Sequence, residues 1–133
     1  MTTPELRLGY GRAELVLAPL PGRPDSWRLT ASWYGKLSAD FEAEYIETAE
    51  VIEFTDRLIA GMDEGEPFTA RLTSGRNNPL HVYAVPVEDA FGFQAQLTPD
   101  GDDPEAELTL ELDHVSTAEL RTDFEEFRRS LAS

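Results

Sequence analysis

Apolar and polar residues alternate along four segments of the chain, a pattern typical of β-strands with one face in a core and the other in water. The alternating segments are residues 27–34, 37–46, 91–97 and 106–112, and weaker strands are predicted at 13–18 and 68–72. Gly35 and Lys36 lie between the first two segments and suit the two-residue turn of a hairpin. Residues 80–87 are partly apolar on both faces, which predicts a central strand that ends near Pro86.

Two other segments have apolar residues at the spacing of an amphipathic helix. The stripes are Val51, Phe54 or Thr55, Leu58 and Met62 in the first helix, and Leu120, Phe124, Phe127 and Leu131 in the second. Thr48 or Glu47 is the expected N-cap of the first helix, and Gly61 is its expected end signal. Ser116 with Glu119 matches a capping box at the start of the second helix.

These elements predict a single α+β domain over residues 1–133, with a mainly antiparallel, twisted sheet and two helices packed on its apolar face. The predicted core is Trp27, Leu29, Trp33, Phe41, Tyr45, Phe54, Leu58, Phe93, Leu108, Leu110, Leu112, Leu120, Phe124 and Phe127. The approaches to the two helices are similar in sequence, which raises the hypothesis of a pseudo-repeat of residues 12–62 and 67–131. The alternative is that strand-to-helix junctions favour the same residues.

The chain has 133 residues, of which 41% are hydrophobic, and this composition is typical of a globular protein. There is no cysteine, which excludes disulfides, thiol nucleophiles and thiolate metal sites and fits a reducing cytoplasm. The N-terminus does not resemble a signal peptide, and the apolar stretches are too short to span a bilayer. We therefore expect a cytoplasmic protein.

The charge balance is unusual, because 26 acidic residues face 11 basic ones, for a net charge of −15. Nucleic acids and anionic membranes should be repelled, and cationic partners should be attracted. The simpler interpretation of this charge is that it keeps the protein soluble. The expected partner is a basic protein, with no nucleic acid and no membrane.

The search for catalytic and metal-binding motifs identifies no site. The Gly9-Tyr10-Gly11 segment begins like a dinucleotide-binding fingerprint but lacks the third glycine, so a simple bend is favoured. His81 and His114 lie in different predicted strands, and close ligand spacing is absent. The acidic loop at residues 100–103 lacks the ligand spacing of a calcium loop and is predicted to be a hairpin loop. No catalytic residue, cofactor or metal ligand is assigned.

Acidic side chains are concentrated on one face of each of two predicted strands. The first row is Asp40, Glu42 and Glu44, and the second is Glu105, Glu107, Glu111 and Asp113. Like charges at this density destabilise a fold through repulsion. A solvated sheet face is the simpler interpretation. The sharper hypothesis is that both rows line one continuous acidic face that binds a basic protein, since charge complementarity speeds association and selects partners.

The order of elements also carries a family resemblance. A hairpin and an amphipathic helix fill the stretch from Trp27 to Met62, the helix begins at Thr48-Ala49-Glu50, and strands and a closing helix with Phe124 and Phe127 follow. From Ser26 to the C-terminus, this order resembles small bacterial immunity proteins of the WapI type and related uncharacterised actinobacterial proteins. The resemblance implies a protein that binds and neutralises a partner toxin without catalysis, and it implies no particular site residues.

The sequence therefore leaves three functions open. The first is a non-catalytic acidic interaction domain, such as an immunity-type inhibitor of a basic partner. The second is a small-ligand binding module that uses a concave sheet face lined by aromatic residues such as Tyr34, Tyr83 or Phe91. The third is an enzyme of unrecognised type, which would need a histidine or carboxylate with a perturbed pKa inside a pocket.

Overall fold

The computed structural model describes residues 4–75, 77–101 and 105–132, which form two antiparallel sheets and two helices. The strands are β1 (Leu6–Tyr10), β2 (Ala13–Pro19), β3 (Ser26–Trp33), β4 (Leu37–Glu44), β5 (Phe68–Arg71), β6 (Leu80–Val87), β7 (Ala90–Leu97), β8 (Leu108–Glu111) and β9 (Val115–Ser116); the helices are α1 (Thr48–Glu64) and α2 (Thr117–Ala132). The predicted α+β class with antiparallel pairing is confirmed, and the strands divide between two sheets.

The first sheet has the order β1-β2-β3-β4, so that each strand pairs with its neighbour in the chain. Its last hairpin pairs Trp33 with Leu37, and the turn between them has Tyr34 at φ 49° and Gly35 at φ 69°. Strand β1 was not predicted, although Leu6 and Leu8 are buried and alternate with an exposed arginine.

The second sheet has the order β5-β6-β7-β8, with β9 paired to β7 beyond the end of β8. The predicted central position of β6 is confirmed, because it pairs with β5 on one side and β7 on the other. Between β8 and β9 the chain leaves the ladder, and the Asp113 N–H donates to the Ala13 carbonyl of the first sheet at 3.1 Å. A Cβ on Gly9 would lie 2.8 Å from the Leu112 Cβ, so the two sheets approach closely at this glycine.

Helix α1 begins at the predicted N-cap Glu47, whose N–H donates to the Glu50 carboxylate at 3.0 Å and whose carbonyl accepts from the Glu50 N–H at 3.0 Å. The helix ends at Gly65, which has φ 69° and an N–H that donates to the Met62 carbonyl. The prediction that Gly61 ends the helix is wrong. Gly61 is buried inside α1, and a Cβ there would lie 2.5 Å from the Phe68 ring.

Helix α2 begins at the predicted position, and the Ser116 hydroxyl accepts a hydrogen bond from the Glu119 N–H at 3.2 Å, which is one half of the predicted capping box. The two helices pack on each other, and α2 also packs on β1, β7 and β9, while α1 packs on β5. On their exposed side the Arg128 guanidinium donates to both carboxylate oxygens of Asp56, at 2.9 and 3.4 Å. Neither helix is long and apolar enough to cross a membrane, as far as the described residues extend.

The core is one cluster that joins the inner faces of both sheets and the apolar stripes of both helices. Most of the predicted core residues are buried there, but Tyr45 is 90% exposed, so its assignment to the core is wrong. The alternation of β4 stops at Glu44, because Tyr45 takes a left-handed backbone with φ 63°. Trp33, Phe41 and Leu108 are only partly buried and pack at the margin of the core.

Two other predictions have no structural outcome. The hairpin loop at residues 100–103 includes Asp102 and Asp103, which lie outside the described residues. Each half of the chain consists of several antiparallel strands followed by one helix. The duplication itself stays a prediction.

Candidate interaction surface

Strand β4 lies at the edge of the first sheet and pairs along all eight of its residues with β3. No strand pairs with its other edge in the part of the chain that the structure describes. In an antiparallel ladder, alternate residues of an edge strand direct their N–H and C=O groups away from the sheet. These groups form a template for pairing with another chain.

The first predicted acidic row lies on the outer face of β4 and is held by two arginines. Arg28 donates to both oxygens of Asp40, at 2.9 and 2.6 Å. Arg23 bridges Glu42 and Glu44, at 3.0 and 3.2 Å. The hydrogen bond from Arg28 holds the pKa of the Asp40 carboxyl below its ordinary value.

These ion pairs leave part of the row open. Glu42 and Glu44 each use one carboxylate oxygen for Arg23, and the second oxygen accepts no hydrogen bond from the described residues. The acidic side chains of the row are about half exposed, at 47–56%. Exposed ion pairs contribute little to stability. The row is therefore accessible to a cationic group that approaches the free edge of β4.

Tyr45 follows the acidic row and is 90% exposed at a φ of 63°. The turn is fixed by its neighbour Ile46, which is buried, donates its N–H to the Asp25 carbonyl and accepts from Trp27 Nε1 at 2.8 Å. A left-handed backbone costs a residue with a Cβ about 1–2 kcal/mol, whereas glycine adopts it freely. The fold thus requires the turn, but it gives no reason for a large aromatic side chain at this position.

A second exposed tyrosine stands at the other end of β4. Tyr34 is 45% exposed, has φ 49° and packs edge-on against Trp33 with ring centroids 5.0 Å apart. Its hydroxyl donates to Asp113 Oδ1 at 2.7 Å, and this hydrogen bond raises the pKa of the tyrosine. Leu37, the first residue of β4, is also 45% exposed. The edge of β4 therefore has an acidic outer face, a partly exposed apolar inner face and a tyrosine near each end.

The second predicted acidic row lies on and around β8, at the edge of the other sheet. Glu105 and Glu107 precede the strand and are exposed, and Glu111 lies opposite Gln94 of β7. Asp113 is half-buried and accepts the hydrogen bond from Tyr34, which joins this row to the β3–β4 hairpin. The two rows belong to different sheets, and one continuous acidic face stays a prediction.

Sequence reasoning missed a third acidic region, in a groove of about 530 Å³ between α2 and β1. Glu119, Asp123 and Glu126 line it from α2, and Glu5 and Tyr10 line it from the β1 side. Burial, together with the nearby Glu126 and Glu119 carboxylates, raises the pKa of Asp123. The spacing of three and four residues between these acids could have identified this stripe.

The residues proposed for a small-ligand site do not meet. Phe91 is buried in the core, at 2% exposure, so its predicted place on an open face is wrong. Tyr34 belongs to the first sheet, and Tyr83 to the outer face of the second. Tyr83 and His114 border a groove of about 260 Å³. A Cβ on Gly92 would lie 2.7 Å from the His114 ring, so the imidazole lies directly over this glycine.

The histidines have separate surroundings. His81 is half-buried on β6, opposite Arg71 and Gln96, whereas His114 is exposed beyond the end of β8. Within residues 4–75, 77–101 and 105–132, no group of three histidine and acidic side chains is arranged to hold a metal ion. Comparisons of the chain with protein-family models, curated proteins and solved structures give no match.

Proposed function

We propose that this protein is a non-catalytic interaction domain that binds a basic partner protein, with an immunity-type inhibitor as the specific role. The binding region is the β4 surface, defined as Asp40, Glu42, Glu44 and Tyr45 together with the free edge of β4. The absence of cysteine supports a cytoplasmic setting for this interaction. The observation that carries the proposal is Tyr45, which is 90% exposed in a left-handed conformation at the end of the acidic row.

The chemistry of the β4 surface suits this role. Carboxylates along one edge increase the rate of encounter with a basic partner and disfavour acidic ones. Tyrosine is enriched among the residues that dominate binding energy, because its ring buries a large area with few rotatable bonds. Arg23 and Arg28 hold the carboxylates in place, which lowers the entropy lost when a partner orders them.

The experiment compares two variants that remove the same charge. Asp40→Asn, Glu42→Gln and Glu44→Gln together neutralise the β4 row; Glu119→Gln, Asp123→Asn and Glu126→Gln together neutralise the α2 groove. The proteins are immobilised and exposed to lysate of the source organism at low and high salt. We expect a basic protein that is retained at low salt, is weakened at high salt and is lost from the β4 variant alone.

The outcomes separate specific binding from general charge attraction. Equal loss from both variants means that net charge alone retains the partner, and retention by the β4 variant contradicts the assignment to β4. Tyr45→Ala changes no charge and should weaken binding by about tenfold or more, which is a typical loss for an aromatic residue at the centre of an interface.

A small ligand on the second sheet is a separate candidate, favoured by the placement of the His114 ring over Gly92 beside Tyr83. Such a site would present an aromatic ring and an imidazole to a planar, polar molecule. A thermal-shift screen of small molecules with the protein and with His114→Ala tests this idea. A compound that stabilises only the unmodified protein supports it, and no stabilising compound counts against it.

A further inference from the structure

We infer that the free edge of β4 binds its partner by strand addition, taking up an extended segment in which basic and apolar residues alternate. This inference rests on the proposed function and specifies how the partner is recognised. In this mode, main-chain hydrogen bonds supply affinity, and alternate side chains supply specificity.

The edge strands of the two sheets differ in how accessible they are to an added strand. Strand β1 lies against α2, and the Thr69 carbonyl of β5 accepts a hydrogen bond from Arg57 of α1 at 3.2 Å. Strand β8 has only four residues before the chain leaves the ladder. Strand β4 has eight paired residues and, within the described part of the chain, no strand on its outer side. It is therefore the longest template for an added strand.

The side chains of β4 determine the sequence of a complementary strand. Residues directly opposite each other on neighbouring antiparallel strands have Cβ atoms about 4.5–5.5 Å apart. A strand added to β4 would place every second side chain beside the acidic row, where Glu42 and Glu44 each keep one open carboxylate oxygen. Its other side chains would cover Leu37 and Phe41, which the protein leaves partly exposed. Lysine or arginine is required on the first face, and apolar residues on the second.

The same geometry disfavours a second copy of this chain as the occupant. If two β4 strands paired antiparallel with matching faces, Asp40 would lie opposite Glu42 or Glu44 of the other copy. Like charges directly opposite each other are destabilising. A shift by one residue would place carboxylates beside the apolar face. The charge pattern therefore selects a basic strand over self-pairing.

The test uses an eight-residue synthetic peptide of alternating lysine and valine, which matches the length of β4. Two derivatives carry N-methyl groups, one on every lysine backbone nitrogen and the other on every valine. Each derivative keeps the positive charge of the lysine side chains and removes the backbone N–H donors that point towards one edge of the peptide strand. Because only one side of an added strand faces β4, we expect one derivative to lose about tenfold or more in affinity and the other to bind like the unmodified peptide.

Amide hydrogen exchange of the protein supplies the second measurement. Binding of the unmodified peptide should slow exchange of alternate amides within Leu37–Glu44, which face outward in the free protein. If both methylated peptides bind like the unmodified one and β4 exchange is unchanged, charge attraction alone accounts for binding; strand addition is then wrong, while the proposed function stands.

Two other results overturn the inference in different ways. Absence of peptide binding, with a natural partner retained equally by the β4 variant, contradicts both strand addition and the proposed function. A concentration-dependent dimer in sedimentation, with β4 amides protected only in the dimer, shows that a second copy occupies the edge. The β4 variant, which lacks the opposing charges, distinguishes this case because its dimer should be tighter.

Discussion

Replacing Tyr45 separates the contribution of this residue to stability from its contribution to binding. Tyr45→Ala removes a ring that is 90% exposed and keeps the Cβ, so the free energy of unfolding should change by less than about 0.5 kcal/mol. Tyr45→Gly also relieves the left-handed backbone, which costs a residue with a Cβ about 1–2 kcal/mol. The greater freedom of glycine in the unfolded chain offsets about 0.5–1 kcal/mol of this gain. We expect Tyr45→Gly to be more stable than Tyr45→Ala by about 0.5–1 kcal/mol.

Urea unfolding followed by fluorescence measures both variants, because the two tryptophans, Trp27 and Trp33, lie in the sheet that ends at β4. The midpoint should rise for Tyr45→Gly with an unchanged slope, and the thermal midpoint should rise by about 2–4 °C. Both variants should also weaken the binding proposed for the β4 surface, by about tenfold or more. Greater stability with weaker binding is the combination expected when a residue is retained for function.

One result would refute this reasoning. If Tyr45→Ala lowers the free energy of unfolding by more than about 1 kcal/mol, the ring makes contacts that stabilise the fold, and its exposure can no longer support a binding role. Asn is the matched control at this position, because it tolerates the left-handed backbone better than alanine and lacks the ring. Tyr45→Asn should therefore lie between the alanine and glycine variants in stability.

Three further substitutions test the structure itself. The raised pKa of Asp123 means that the native state binds protons more tightly than the unfolded state, so ionisation of this residue lowers stability as pH rises. Because Asp123 is exposed and its charge is screened by solvent, Asp123→Asn should stabilise by no more than about 0.5 kcal/mol at neutral pH and low salt, and the gain should shrink in acid or high salt. Gly61→Ala should lower the free energy of unfolding in urea by about 1 kcal/mol. Crowding of the Phe68 ring costs about 1–3 kcal/mol, and the higher helix propensity of alanine offsets about 1 kcal/mol of this cost. A gain in stability would show that the ring moves freely. Trp27→Phe should cost at least about 1–3 kcal/mol in the same assay, because the buried Ile46 carbonyl loses its donor, and a neutral result would contradict that hydrogen bond.

The parts of the fold that the sequence predicted are those in which periodicity continues for several residues. Alternation located β3, β4 and β7, whereas β6 was located by a run that is partly apolar on both faces; each of these four strands has eight residues. The stripes of both helices are buried as expected, except for Leu131, which is partly buried. Periodicity does not indicate which strands pair, however. Neither the division into two sheets nor the close approach at Gly9, where the Ala13 carbonyl and Leu112 leave no room for a side chain, could be predicted from periodicity.

The errors come from single residues whose role depends on a distant partner or on the local backbone. Gly61 was expected to end a helix because glycine often does, but its reason is the Phe68 ring, which lies on the following strand. Tyr45 continues the alternation of β4 in sequence, yet one left-handed residue reverses the direction of its side chain. The acidic row itself was predictable from alternation, whereas its pairing with Arg23 was not, because that arginine lies nineteen positions away in a loop.

The acidic row on β4 is compatible with two explanations, and Tyr45 distinguishes them. Charged side chains on an edge strand commonly prevent self-association, and the row would do this even if no partner existed. If the row served only to prevent self-association, a small or polar residue would be favoured at its end, where the backbone is left-handed. A ring that is 90% exposed adds apolar surface to the edge of β4, whereas prevention of self-association requires a polar edge. The same carboxylates that disfavour a second copy favour a basic strand, and an exposed tyrosine beside them strengthens only the second effect. For this reason the stability of the Tyr45 variants tests one premise of the proposed function, which is that the exposed ring does not stabilise the fold.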